Sequence, residues 1–105
     1  MSSKGAVVSV KIHPNTKGTP AKKLAEADVI FHSEAGPLSG LKLSGFAIWE
    51  RRDGGKSVTF PARQYAVNGV RRSFVLLRAT NGEQGAEDAM RACILDAYNH
   101  LEAHS

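Results

Sequence analysis

Two apolar runs, residues 41–49 and 58–61, flank the polar segment 50–56, and at its centre Asp53, Gly54 and Gly55 supply the backbone freedom that a short hairpin turn demands. This commits the middle of the chain to an antiparallel pair. Around the turn lie Arg51, Arg52 and Lys56, followed by Arg63, Arg71 and Arg72, with only Glu50 and Asp53 as nearby acids. Any account of function starts from that cluster.

The remaining segments extend the same pattern. Residues 6–12 alternate Val8, Val10 and Ile12 against Val7, Ser9 and Lys11, the period of a half-buried first strand. Residues 13–22 hold two prolines and a glycine and read as an exposed loop. In residues 23–31, Ala25, Ala27, Val29 and Phe31 share one face, which predicts a second strand, although KKLAEA would also support a helix through Glu26. Residues 33–37 form a turn signal.

Along the third strand Leu41 and Leu43 have one parity, Phe46 and Ile48 the other. A β-bulge at Gly45 returns Phe46 and Ile48 to the core face and leaves Ala47, Trp49 and Arg51 facing away; a straight strand would instead place Trp49 inside and Phe46 outside. Val58 and Phe60 continue the hairpin, and Pro61, which has no N–H to donate, ends it. Residues 62–72 are then expected to form a loop of roughly ten residues, long enough to have a task. The apolar run 73–79 predicts a final strand buried on both faces.

Thr80 or Asn81, with Glu83, signals the start of a helix. At 100° per residue Ala86, Met90, Cys93, Ile94, Ala97 and Leu101 form the stripe expected to pack on the sheet. Leu95 and Tyr98 make a second, smaller patch, a hint of self-association. The expected fold is α+β: an antiparallel sheet of about five strands with one C-terminal helix packed on it, spanning residues 1–105 as a single domain.

Composition narrows the function classes. With 42% hydrophobic and 23% charged residues the chain has the make-up of a folded protein. The net charge of +4 is unevenly spread: residues 1–35 carry +2, residues 36–82 carry +6 and residues 83–105 carry −4. The single Cys93 has no intramolecular partner, the first residues lack a secretory apolar core, and no run approaches the roughly 20 apolar residues of a membrane span. A cytoplasmic location is expected, with no membrane partner.

The order KLAEADVIF, LKLSGFAIWER, GKSVTFPAR and a closing helix with ILDAYNHL resembles the stage V sporulation protein G (SpoVG) family, over about three quarters of the chain. The resemblance implies a small cytoplasmic bacterial homodimer that binds DNA and RNA as a regulator. Its most specific part, VTFPAR, implies that Pro61 and Ala62 end a strand and that Arg63 stands at a nucleic-acid-contacting position. Gln64 replaces a further basic residue of the family pattern, the strand after the loop lacks its His-Pro pair, and the loop after the first strand is longer. A fainter likeness, to dimeric single-stranded-DNA-binding coactivators, implies the same partner class.

The nucleic-acid-binding set read from the sequence is therefore Arg51, Arg52, Lys56, Arg63, Arg71 and Arg72, with Trp49 and Tyr65 as rings on which bases would stack. Trp49 is equally readable as a core aromatic. Catalytic readings find little support. Cys93 sits on the apolar stripe, His100 and His104 share a helical face without a third ligand, His13 and His32 stand alone, and no phosphate loop, nucleophile elbow or cysteine pair occurs. No enzyme, cofactor, metal or small-molecule substrate is expected. The alternative is a non-catalytic protein-interaction or scaffold module that binds an acidic partner.

Overall fold

The computed structural model describes residues 8–83 and 85–103. Strands β1 (Val8–Pro14), β2 (Lys23–Phe31), β3 (Lys42–Glu50) and β4 (Lys56–Thr59) form an antiparallel sheet in sequence order. Strands β5 (Ala62–Val67) and β6 (Val70–Val75) make a separate two-stranded ribbon, and helix α1 (Ala86–Ala103) closes the chain. The α+β architecture is as the alternation required, with six strands divided between two sheets.

One face of the four-stranded sheet is apolar because cross-strand pairing aligns residues of like parity. Val10 pairs with Val29, Ile12 with Ala27, Ala25 with Ile48 and Ile48 with Val58. Ala25, Ala27, Val29, Phe46 and Ile48 are completely buried there. The bulge in β3 makes this possible. Asp28 pairs with Ser44 and Ala27 with Phe46, so Gly45 is the extra residue, at φ 110°, and Leu43 and Phe46 both end on the core side. The straight-strand alternative, with Phe46 outside, is excluded. Ala47 lies on the opposite face, as the bulge reading expected, and is buried there as well.

Helix α1 lies across this face, touching both edge strands, β1 and β4. Its buried line is Ile94 and Tyr98, flanked by the half-buried Met90 and Leu95. Met90, Cys93, Ile94 and Ala97 of the expected stripe do face the sheet, but its ends and the second patch differ. Tyr98, expected with Leu95 on an outward patch, is only 6% exposed, whereas Leu101 on the expected stripe is 38% exposed and Ala86 is exposed too. The helix is rotated toward the i, i+4 line that carries its bulkiest side chains, which bury the most area. The patch read as a hint of self-association is thereby used up in the core. The helix begins at Ala86, later than the expected start at Thr80 or Asn81, which lie in a turn before it; there the Thr80 carbonyl accepts from the Glu83 N–H, and the Glu87 carboxylate accepts the Ala79 N–H at 3.2 Å. The expected strand residues Ala6 and Val7, and His104, lie outside the described residues.

The largest correction concerns residues 62–79. The expected loop at 62–72 is most of a hairpin, because Asn68 and Gly69 adopt φ of 53° and 77°, the pair of positive values that a two-residue turn between strands requires. The expected strand at 73–79 is divided. Ser73, Phe74 and Val75 complete β6, while residues 76 and 77 bend toward the helix and Leu77 packs against the core. Far from being buried on both faces, every residue of β5 and β6 is exposed. Pro61 explains the departure: it cannot extend the β4 ladder, it is buried against Gly45, and its carbonyl accepts the Leu76 N–H at 2.9 Å to close the base of the ribbon.

Candidate nucleic-acid interface

The β3–β4 turn forms as its residues dictate. Gly54 takes φ 88°, the Asp53 carboxylate accepts the Gly55 N–H at 2.8 Å, and the Arg51 N–H donates to the Gly55 carbonyl. Arg51 and Arg52 are exposed at its tip, and Arg51 is paired with Asp53 at 3.3 Å.

Beyond the turn the expected set divides. Trp49 pairs with Ser57 on the face away from the helix, is half-buried, and donates from Nε1 to the Thr59 hydroxyl at 3.0 Å. Lys23, opposite it on β2, holds its ammonium 5.9 Å from the indole centre and is itself paired with Glu26. Lys56 belongs to the helix side of the sheet, where its ammonium sits 5.9 Å from the Tyr98 ring. Trp49 and Lys56 therefore point to opposite sides and do not share a surface.

The ribbon brings other members together. Arg63 pairs with Phe74, Tyr65 with Arg72 and Val67 with Val70, so these six side chains share one face; Ala62, Gln64, Ala66, Arg71, Ser73 and Val75 share the other. Arg63, Tyr65 and Arg72 are thus united, and Arg71 is separated from them. Tyr65 is 40% and Phe74 47% exposed, and with Arg63 they line an open hollow of about 310 Å³. Arg78, just past the ribbon, places its guanidinium 4.9 Å from the Phe74 ring centre.

Sequence reading missed Phe74 and Arg78. The signal was present in the Asn68-Gly69 dipeptide between two alternating segments, which marks a hairpin and would have assigned the faces. The other ribbon face looks across a groove of about 810 Å³ toward Thr59, Phe60, Glu87 and Arg91, and Arg78 also lines it. Arg91 stacks at 5.0 Å from the Phe60 ring and is neutralised by Glu87 and Asp88.

Electrostatically the ribbon is one-sided. From residue 54 to residue 82 the chain contains no Asp or Glu but includes Lys56, Arg63, Arg71, Arg72 and Arg78. Among the described residues the ion pairs of arginine involve Arg51 and Arg91 only. Two further acids pair on the four-stranded sheet: His13 Nε2, 3.0 Å from Asp28 Oδ2, holds that carboxyl below its ordinary range, and Lys23 does the same for Glu26.

The thiol of Cys93 is shifted the other way. Burial pushes it up and Asp96 adds to the shift, the opposite of what an activated nucleophile needs. Among the described residues no group of three His, Cys, Asp or Glu is placed to hold a metal ion, and no helix is long and apolar enough to cross a membrane.

No family model, curated protein or solved structure matches the chain.

Proposed function

We propose that this chain is a non-catalytic nucleic-acid-binding protein of the SpoVG kind, acting in the cytoplasm as a regulatory homodimer. The observation that carries the reading is the exposed ribbon, which presents Arg63 and Arg72 on one face, within a segment of the chain that contains no carboxylates, with Arg78 against the Phe74 ring. Phosphate binding requires several cations on one surface, each releasing counterions from the polymer. Arg51, Arg52 and Arg71 add to the positive field without sharing that face, and pairing of two copies would double it.

Binding to labelled DNA and RNA, followed by anisotropy at two salt concentrations, tests the proposal. If about three phosphates are neutralised, affinity falls roughly 20-fold for a single strand and roughly 40-fold for a duplex between about 50 and about 200 mM salt. Replacing Arg63 or Arg72 by Gln lowers the salt slope by about 1 each. Affinity indifferent to salt and to both replacements overturns the reading. Sedimentation of the free protein tests the dimer.

A second reading has its own observation. Val70 and Leu76 are more than half exposed, at 55% and 56%, and Val67 and Val75 are not far behind. Such side chains suit a protein partner, and an acidic one would complement the arginines. Stable association with proteins, together with failure to be retained on heparin or DNA, favours that module.

A further inference from the structure

We propose that the Tyr65–Phe74 face of the ribbon is a stacking platform that selects single-stranded over duplex nucleic acid, an inference that rests on the nucleic-acid reading above. The register is its basis. Tyr65 lies opposite Arg72 and Phe74 opposite Arg63, so the two rings are diagonal neighbours with a guanidinium beside each. Large rings are ordinarily mostly buried, yet these two stand open to solvent around the hollow they share with Arg63. That hollow, about 310 Å³, is at the lower end of what small ligands occupy and suits a planar base.

Spacing decides between the two forms of nucleic acid. Diagonal positions on a ribbon are about 7–8 Å apart. Successive bases along a duplex strand rise only ~3.4 Å, and their faces are already covered by one another. Two rings at the ribbon's spacing can receive bases only when these are pulled apart, as in an extended single strand.

The arginines complete the arrangement. Arg78 covers part of Phe74 while leaving the ring about half exposed, and its planar guanidinium is itself a surface for stacking. Arg63 and Arg72 lie where phosphates flanking a stacked base would pass. The occupant is therefore anionic and aromatic, since a purely apolar partner would leave the two cations of that face, Arg63 and Arg72, desolvated without counter-charge.

The test measures anisotropy of labelled oligothymidylate, oligouridylate and a mixed-sequence duplex of equal length against the full chain and the variants Tyr65→Leu, Phe74→Leu, Phe74→Trp and Arg63→Gln. Single strands are expected to bind at least about 10-fold more tightly than the duplex. Each leucine replacement weakens single-strand binding roughly 5- to 100-fold with an unchanged salt slope, whereas Arg63→Gln lowers the slope. Phe74→Trp, which enlarges the ring, binds at least as tightly as the parent and shows that the ribbon still forms.

Duplex binding as tight as single-strand binding, with the leucine variants at parent affinity, overturns the platform and leaves the nucleic-acid reading standing. Absence of binding to all three probes overturns both. Leucine variants that dissociate a dimer without changing affinity show that the face joins copies of the chain, and also overturn the platform.

Discussion

Replacing Gly45 by Ala tests the device that sets the sheet's register and the exit of the ribbon together. Gly45 has φ 110°, and a Cβ built there would lie 3.1 Å from the Cβ of Pro61. Two costs add. A side chain at such a backbone conformation costs of order 1–2 kcal/mol, and pressing on a buried neighbour that closes the ribbon's base costs a further ~1–2 kcal/mol. The expected loss is about 2–4 kcal/mol, which for a domain of this size lowers the melting temperature by roughly 10–25 °C.

Gly54→Ala is the internal comparison. Its φ of 88° is equally unfavourable, but nothing lies within 4 Å of the added carbon, so only the conformational cost of about 1–2 kcal/mol applies. Urea denaturation followed by far-ultraviolet dichroism gives both values, with an unchanged m confirming that the compactness of the states is the same. Equal midpoints for the two variants would show that Pro61 yields without cost. A Gly45→Ala midpoint within about 0.5 kcal/mol of the parent would refute the bulge reasoning altogether.

Ile94→Ala is expected to cost about 2–5 kcal/mol and Leu101→Ala under about 1 kcal/mol, because only the first is wholly buried; similar losses in calorimetry would contradict the rotated helix. Gly69→Val disrupts the turn of a ribbon whose residues are all exposed, so hydrogen exchange in β5 and β6 should accelerate while the urea midpoint moves by less than about 1 kcal/mol. Asp28, its carboxyl held low first by the His13 hydrogen bond, contributes stability that is fully present above the unfolded carboxyl's range and is lost as pH falls through the lowered folded value. Asp28→Asn should flatten the acid limb of a stability–pH curve, and an unchanged limb would show that other carboxylates govern it.

Much of the scaffold was legible in the chain. Period-two alternation placed β2 at the residues observed, the opposed parities of Leu43 and Phe46 offered a bulge at Gly45 beside a straight strand, of which the bulge forms, and Asp53-Gly54-Gly55 named the first hairpin turn. These readings hold because each depends on backbone geometry within a few residues. The ribbon was less legible, since its exposed faces mix arginines with rings and valines, and the run FVLL carries the apolar density of a buried strand.

The candidate site depended most on tertiary structure. That Trp49 and Lys56 lie on opposite sides of the sheet follows from pairing parity, yet their distance from Arg63 and Tyr65 depends on how Pro61 turns the ribbon out. Likewise the helical periodicity supplied a stripe and a smaller patch, and packing joined Met90 and Ile94 of the first to Tyr98 of the second because these bulkier side chains removed more surface from water. Sequence by itself determined the local elements and the excess of cations in the middle of the chain. Only tertiary structure decided which side chains share a plane, because a face is a property of pairing between segments that local preference does not encode.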